Sequence, residues 1–201
     1  MDYAKILENA GYMFALINPV SKIMFLASYQ PQLSRKQVVE LSWKSSLAAM
    51  IILVLLAAVG KVILTDVFRV QLYSLQITGG LIVFIIGFRA VSEGRFFTER
   101  AGQDINMTDI SLVPLAAPLI AGPGIIAAVI TANAEIGLTA TCAALVLALT
   151  VNFLLMISAT PINRALSHVH LLGPLIRLTG LIIAAVAMQM MITGLKTGFN
   201  L

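Results

Sequence analysis

Residues 118–128 read Pro-Leu-Ile-Ala-Gly-Pro-Gly-Ile-Ile-Ala-Ala, so that Gly122-Pro123-Gly124 interrupts the apolar stretch Ser111–Asn133. A second break, Asn18-Pro19, interrupts the apolar stretch Ile6–Tyr29, and the two prolines are 104 residues apart. Proline cannot donate the helical backbone hydrogen bond and clashes with the preceding turn. In hydrocarbon such a break persists only where protein or a water-filled cavity satisfies the freed backbone groups. Paired breaks in corresponding positions of two halves therefore favour a small membrane transporter.

The composition independently places the chain in a membrane. Of its 201 residues 59% are hydrophobic and 11% are charged, and the mean hydropathy is +0.97. A soluble domain has about 25% charged residues, and each membrane-crossing helix needs roughly 20 apolar residues. Six runs of this kind are present, at about 6–29, 45–64, 72–92, 111–134, 138–160 and 172–195. They leave no room for a soluble catalytic domain, and we predict an all-α membrane protein that is not an enzyme.

A long polar stretch, Ser92–Asp109, divides the six predicted spans into two groups of three. We predict a first repeat at 1–91, a connecting loop at 92–110 and a second repeat at 111–201. Aligning residues 75–94 with 175–194, an offset of 100, gives five identities in twenty positions. Three spans per half predict two inverted three-helix repeats, with the first helix of each broken at mid-membrane. If the broken segments were instead re-entrant hairpins, the repeats would be parallel.

Basic residues are unequally divided between the two sides of the predicted membrane. One side carries eight of them, and the other side carries four. The first set is Arg35, Lys36, Lys44, Arg89, Arg95, Arg100, Arg164 and Arg177, and the second is Lys5, Lys61, Arg69 and Lys196. The positive-inside rule predicts that the first set is cytoplasmic and that both termini lie outside. Because basic residues form no patch, we expect no nucleic-acid binding.

The two breaks provide the candidate binding groups. Asn18-Pro19 and Gly122-Pro123 suit the N-cap and first-turn positions of new half-helices at about 20–29 and 124–133. Free N–H groups and the helix dipole at these starts would bind an anion. Free carbonyls at the preceding helix ends, near Leu16-Ile17 and Ile120-Ala121, would bind an ammonium or another cation, so a zwitterion fits the pair. The predicted site residues are Asn18, Pro19, Val20, Ser21, Lys22, Ala121, Gly122, Pro123, Gly124 and Ile125.

Polar side chains inside the predicted spans are few. They are Asn18, Ser21, Lys22, Ser28, Gln76, Thr131, Asn133, Asn152 and Gln189. The nine acidic residues lie at or beyond span ends, which argues against a proton relay built on buried carboxylates. Lys22 either extends toward the cytoplasmic side or supplies a cation at the site. Asn152 either joins helices by hydrogen bonds or contacts substrate.

Two further predictions concern the effect of substituting Gly124 and the absence of a metal site. A larger side chain at Gly124 is expected to obstruct the site while leaving the packing of the span intact. His168 and His170 have no acidic or cysteine companions, so we predict no metal site and no cofactor.

The sequence resembles the MarC family of small bacterial and archaeal inner-membrane proteins. Residues 114–124 match its PLAxPLxAGPG signature, and Asn18-Pro19-Val20 matches its NPxG motif. Residues 77–81 and 177–181 resemble its third-span glycine pair and its sixth-span R-x-x-G-L motif. The resemblance covers the whole chain. It implies a multi-pass protein of the cytoplasmic membrane, and in the SnatA branch a transporter of small neutral amino acids such as glycine and alanine.

The chain departs from the family pattern at the first break. Ser21 stands where the family usually has glycine, Met24 stands where a second proline often follows, and Lys22 adds a charge. These departures bear on the substrate more than on the fold. Three hypotheses follow: export or uptake of small neutral amino acids, transport of another anionic or lipid-linked solute, and a non-transporting membrane scaffold. The expected partners are the substrate, the lipid bilayer and a second copy of the chain in a homo-oligomer.

Overall fold

The computed structural model describes residues 2–27, 33–95, 116, 120–168 and 171–199, and the regular elements within these ranges are helices. In chain order they are α1 (Tyr3–Ile17), α2 (Pro19–Ala27), α3 (Arg35–Val62) with a π-helical turn at Ile63–Val67, α4 (Leu72–Glu93), α5 (Pro123–Ile136), α6 (Leu138–Ile157), α7 (Ala159–His168) and α8 (Leu172–Phe199). Most of the predicted loop at 92–110 and the start of the predicted span at 111–134 lie outside the described residues.

Four of these helical segments are long and apolar enough to cross a membrane, namely Arg35–Val67, Leu72–Glu93, Leu138–Ile157 and Leu172–Phe199. They coincide with the second, third, fifth and sixth predicted spans. The first predicted span is divided into the 15-residue α1 and the 9-residue α2. The described helix of the fourth predicted span is the 14-residue α5, which begins at Pro123.

Helix α3 begins ten residues before the predicted start of its apolar run. Ser34 and Gln37 form a capping box, in which Ser34 Oγ accepts from Gln37 N at 3.4 Å and Ser34 N donates to Gln37 Oε1 at 2.8 Å. This reciprocal pairing satisfies backbone donors that the first helical turn leaves free. The charged first turns therefore extend α3 beyond the apolar segment that hydropathy detects.

Helices α4 and α8 form the most extensive helix pair in the described part of the chain. A Cβ on Gly80 would lie 2.8 Å from the carbonyl oxygen of Ala187, and a Cβ on Gly180 would lie 2.9 Å from that of Gly87. Backbone contact this close is possible only between small residues. Because Gly80 pairs with Ala187 while Gly87 pairs with Gly180, the two helices run antiparallel.

The same pairs also obey the offset of 100 residues found in the sequence. Adding 100 to Gly80 gives Gly180, and subtracting 100 from Ala187 gives Gly87, so each contact maps onto the other with the helices exchanged. A second pair behaves in the same way. Gly94 lies against Arg177, and Gly194 lies against Ile77. The α4–α8 pair therefore has approximate two-fold symmetry at the level of individual contacts.

Arg177, in the second turn of α8, binds the end of α4. Its Nη1 donates to the carbonyl oxygen of Val91 at 2.5 Å and to that of Ser92 at 3.4 Å. These carbonyls belong to the last turn of α4, where no intrahelical donor remains, and a cation is favoured there by the helix dipole. Gly94 ends α4 with φ 68°, and the guanidinium lies against it, 3.5 Å from Nη2 to the position of a Cβ.

The main core lies on the other side of the molecule, where α6 is central. Helices α1, α2, α3 and α5 all pack against α6. The core combines residues from these helices, among them Met13, Leu53, Val129, Leu145 and Leu149. A smaller cluster around Val83 and Ile183 lies between α4 and α8, and Leu16, Val20 and Met24 pack against it. The α1–α2 segment thus lies between the two packed regions.

Candidate functional site

The first break is a single left-handed residue between two helices. Helix α1 ends at Ile17, Asn18 has φ 54° and ψ 77°, and α2 begins at Pro19. Asn18 N donates to the carbonyl oxygen of Phe14 at 3.1 Å and so closes α1. Asparagine tolerates this conformation better than most residues. Asn18 therefore acts as the C-cap of α1 as well as the residue that precedes α2.

Two side chains of α2 fold back onto the end of α1. Ser21 Oγ donates to the carbonyl oxygen of Asn18 at 2.8 Å, and Lys22 Nζ donates to that of Ile17. Lys22 is only 2% exposed, so its side chain does not extend to the membrane surface. The prediction of a free carbonyl at Ile17 is also wrong, because the chain's own amine occupies that position.

The second break is arranged differently. Ala121 N donates to the carbonyl oxygen of Ala116 at 2.8 Å, and Gly122 then turns into extended backbone with φ −79° and ψ 170°. Pro123 begins α5, and Ile126 N donates to the carbonyl oxygen of Gly122 at 3.0 Å. No side chain among the described residues caps this start. The N–H groups in the first turn of α5 therefore have neither an intrahelical partner nor a side-chain acceptor among the described residues.

The two breaks lie against each other. A Cβ built on Gly124 would stand 3.5 Å from Leu16 Cδ2 and 2.3 Å from Val83 Cγ2. Leu16 belongs to the last turn of α1, one residue before the carbonyl that Lys22 binds. Ile17 and Ile125 also belong to the same core cluster. The fold thus brings together two motifs that are about a hundred residues apart in sequence.

The ten predicted site residues are mostly inaccessible to solvent. Seven of them are buried, and three are half-buried. The buried residues are Asn18, Pro19, Ser21, Lys22, Ala121, Gly124 and Ile125, and the half-buried ones are Val20, Gly122 and Pro123. Val20 packs against the cluster between α4 and α8, whereas Ala121 and Ile125 belong to the main core.

The contacts of Gly124 correct one expectation. A side chain there was expected to obstruct the site without disturbing the packing of its span. Because the Cβ would overlap the side chain of Val83 in α4, substitution must also shift that side chain or one of the two helices. Gly124 therefore contributes to the packing of α5 against α4.

Asn152 does not join helices by hydrogen bonds within the described residues. It is 0% exposed, its Nδ2 donates to Met156 Sδ of the same helix at 3.1 Å, and its Oδ1 has no partner there. By contrast, Asn133 does connect two helices, since its Nδ2 donates to the carbonyl oxygen of Ala57 at 2.7 Å. Ser28, also singled out from the sequence, lies outside the described residues.

Sequence reasoning missed two serines of α3. Ser42 and Ser46 are buried, and their hydroxyl oxygens have no hydrogen-bond partner among the described residues. They lie one helical turn apart, which was a visible signal for a polar stripe at spacing i, i+4. Ser42 precedes the predicted apolar run at 45–64, and for that reason it was not considered as a residue of the membrane interior.

The described residues contain no group of three or more His, Cys, Asp or Glu side chains that could hold a metal ion. His170 lies outside them. An open depression of about 620 Å³ lies on the exposed start of α3 and is lined by Arg35, Lys36, Val39, Glu40 and Trp43. Its residues belong to one helix face, and none of them belongs to either break.

The sequence model of the MarC family, described as "MarC family integral membrane protein", matches residues 3–199. The chain belongs to the MarC family. This MarC protein therefore has the integral-membrane character of its family, in agreement with the four apolar helices.

Relatives of this MarC protein occur in archaea and bacteria. A UPF0056 membrane protein of Pyrococcus horikoshii is 35% identical over 190 residues, covering 94% of this chain and 93% of its own. Another from Methanocaldococcus jannaschii is 28% identical and covers 98% of both chains. A third, from Bacillus subtilis, is 27% identical and covers 93% of this chain and 92% of its own. These names state no activity, and no solved structure matches the chain.

Proposed function

We propose that this MarC protein is a secondary transporter of small neutral amino acids across the cytoplasmic membrane of a bacterium or archaeon. The observation that carries the proposal is the contact of the two helix breaks at Leu16 and Gly124. Broken helices that meet inside a membrane protein expose backbone groups to a ligand, and this is the common plan of secondary transporters.

The carboxylate of the substrate would bind at the start of α5. Gly122 has no side chain to cap the helix, and Pro123 has no N–H group. The first N–H groups without a side-chain acceptor among the described residues are therefore those of Gly124 and Ile125. Oriented N–H groups and the positive end of the helix dipole favour an anion at such a position. Because Gly124 has no Cβ, a ligand can approach its backbone closely.

Lys22 would reinforce this preference. Its amine is buried, and no carboxylate lies within ion-pair distance of it in the described part of the chain. A buried charge without a counter-ion is costly, and an anionic ligand group would lower that cost. The hydrogen bond to Ile17 holds the amine at the first break, next to the residue that contacts Gly124.

For the architecture we propose six membrane crossings in two inverted three-helix repeats, 1–91 and 111–201. The symmetric contacts of α4 and α8 support this arrangement. Two antiparallel helices that exchange under a two-fold operation require an axis perpendicular to both, and such an axis lies in the membrane plane. A cytoplasmic connecting loop at 92–110 and external termini follow from the positive-inside rule.

A second candidate function is transport of a small anion without an ammonium group. The buried Lys22 favours it, because this residue already occupies the Ile17 carbonyl that was expected to bind the substrate amine. The two candidates differ in one respect that can be measured. A neutral amino acid needs acceptors for its ammonium group, whereas a monoanion needs only the donors at α5 and Lys22.

Counterflow in proteoliposomes tests the proposal. Vesicles containing the purified protein are loaded with unlabelled alanine, glycine or lactate, and uptake of the same solute in labelled form is followed. In lactate a hydroxyl replaces the amino group of alanine. We expect a transient accumulation of alanine and glycine, and none of lactate. Accumulation of lactate alone would favour the second candidate. Fluxes equal to those of protein-free vesicles for all three solutes would contradict both.

A further inference from the structure

We propose that Ser42, Ser46 and Asn152 form a binding site for a small monovalent cation between α3 and α6. This triad lies outside both helix breaks. Its occupant is either a free alkali ion or the ammonium group of a substrate. The site itself does not depend on the proposed function, whereas the ammonium alternative rests on it.

The first observation is a set of unsatisfied polar atoms. Ser42 and Asn152 are 0% exposed and Ser46 is 9% exposed, yet Ser42 Oγ, Ser46 Oγ and Asn152 Oδ1 have no hydrogen-bond partner among the described residues. Buried polar atoms are nearly always paired, with protein, water or a bound group. Three unpaired oxygens therefore indicate that something else binds there.

The second observation places these atoms at one level of the same helix pair. The rings of Trp43 and Phe153 are in edge-to-face contact, with centroids 6.5 Å apart. Ser42 and Asn152 each precede one of these rings by a single residue, a rise of about 1.5 Å along each helix. Ser46 follows Ser42 by one turn on the same face of α3. Since α3 and α6 pack together and all three side chains are buried, we infer that they face one region between these helices.

The chemistry of the oxygens indicates the charge of the occupant. One N–H of the Asn152 amide donates to Met156 Sδ. The Asn152 oxygen can only accept, and each serine hydroxyl oxygen also offers lone pairs. Neutral oxygen ligands suit hard cations, and an ammonium group carries three N–H donors, which equals the number of unpaired oxygens.

The position of Lys22 makes this cation site useful to a transporter. At the first break the chain's own amine already donates to the carbonyl oxygen of Ile17, so a substrate ammonium would have to compete with it there. Helices α1 and α2 both pack against α6, the helix that carries Asn152. The triad would thus supply acceptors on a helix that adjoins the break, while α5 and Lys22 supply the donors.

The test is ligand-dependent thermal stability of the purified protein in detergent, since a ligand that binds only the native state raises its unfolding temperature. The parent is compared in sodium chloride, potassium chloride and choline chloride of equal ionic strength. In choline chloride it is also compared with glycine and with acetate, which lacks the amino group. We expect the unfolding temperature to rise by at least about 2 °C. The rise occurs either in sodium or potassium chloride relative to choline chloride, or with glycine but not with acetate.

Variants assign the effect to the triad. The rise in unfolding temperature should be abolished in each of the variants Asn152→Leu, Ser42→Ala and Ser46→Ala. If Asn152→Leu does not fold, the two serine variants alone test the site. Thr141→Val is the matched control on α6, since Thr141 is equally buried and its Oγ1 already donates to the carbonyl oxygen of Gly137 at 2.9 Å. It should keep the shift.

Three outcomes are distinguished. A shift by an alkali chloride over choline that the triad variants lose assigns a free ion to the site. A shift by glycine and not by acetate, lost in the same variants, assigns the substrate ammonium. No shift in the parent, or an unchanged shift in the variants, means that the oxygens bind only water and overturns the inference. Alanine counterflow that persists in Ser42→Ala would then leave the proposed function intact.

Discussion

Leu16 lies directly beside Gly124, with its Cδ2 3.5 Å from the position that a Cβ on Gly124 would occupy. Leu16 lies in the last turn of α1, where Lys22 binds the carbonyl oxygen of Ile17. Gly124 lies in the first turn of α5, which no side chain of the described residues caps. One contact therefore joins the acceptor end of one break to the donor end of the other. A change on either side alters the same small region.

The first prediction concerns the space at Gly124. Gly124→Ala places a Cβ 2.3 Å from Val83 Cγ2, and overpacking of this kind costs about 1–3 kcal/mol of stability. The unfolding temperature in detergent should fall. The double variant Gly124→Ala/Val83→Ala removes the overlapping methyl groups and should recover most of this loss.

The double variant also separates packing from binding. If the first turn of α5 binds the substrate carboxylate, the double variant should be stable and still bind alanine more weakly than Val83→Ala alone. Restored stability together with unchanged alanine affinity would show that Gly124 serves only helix packing.

The second prediction concerns Lys22. Lys22→Met keeps the length and apolar stem of the side chain and removes the amine from the Ile17 carbonyl. Hydrogen bonds to charged groups contribute about 1.5–3 kcal/mol, so the dissociation constant of the transported solute should rise roughly 10-fold to 100-fold. The measurement is inhibition of labelled alanine uptake by unlabelled alanine.

Lys61 provides the matched control, because it is an exposed lysine near the end of α3. Lys61→Met should leave the affinity unchanged. If the Lys22→Met and parent proteins bind alanine with equal affinity, Lys22 serves only to cap α1.

The third prediction concerns the helix pair α4–α8. A Cβ on Gly180 would lie 2.7 Å from Ala90 Cβ and 2.9 Å from a backbone oxygen, so Gly180→Ala should cost about 1–3 kcal/mol. Gly11→Ala in α1 is the control, since nothing lies within 4 Å of a Cβ there. By helix propensity it should stabilise by up to about 1 kcal/mol. Equal unfolding temperatures for the two variants would contradict the close packing.

The fourth prediction concerns orientation and needs single cysteines in a Cys142→Ala background. Cysteines in place of Arg95 and Arg164 should react with an impermeant thiol reagent only from the cytoplasmic side. Cysteines in place of Asp2 and Phe199 should react in intact cells. Labelling of position 95 from outside would reverse the orientation without affecting the transporter hypothesis.

The positions of the helices could be read from the sequence where apolar length alone decides them. The prediction of a span at 72–92 corresponds to α4 at Leu72–Glu93, and that at 172–195 corresponds to α8 at Leu172–Phe199. The start of α3 was missed because Arg35 and Lys36 lower the hydropathy. The Ser34-x-x-Gln37 capping box was the physical signal for that boundary.

The site was only partly predictable for a different reason. Proline and glycine mark a break locally, so Asn18-Pro19 and Gly122-Pro123 coincide with observed helix boundaries. Which groups fill the freed positions depends on side-chain direction and packing. The bond from Lys22 to Ile17 joins residues only five apart, but it forms because the chain turns at Asn18. That Asn152 Oδ1 has no partner among the described residues depends on how the surrounding helices pack.

The central claim is that the break at Pro123 is a binding site for the transported solute. Its most direct test is equilibrium binding of labelled alanine to the purified parent, Pro123→Ala and Pro174→Ala proteins at matched thermal stability. Alanine at 123 restores a backbone donor and lets the preceding segment continue into α5, whereas Pro174 lies exposed in the first turn of α8. We predict saturable binding to the parent and to Pro174→Ala, and at least a tenfold weaker affinity in Pro123→Ala, corresponding to about 1.4 kcal/mol. Folded Pro123→Ala protein that binds alanine as tightly as the parent would contradict the account.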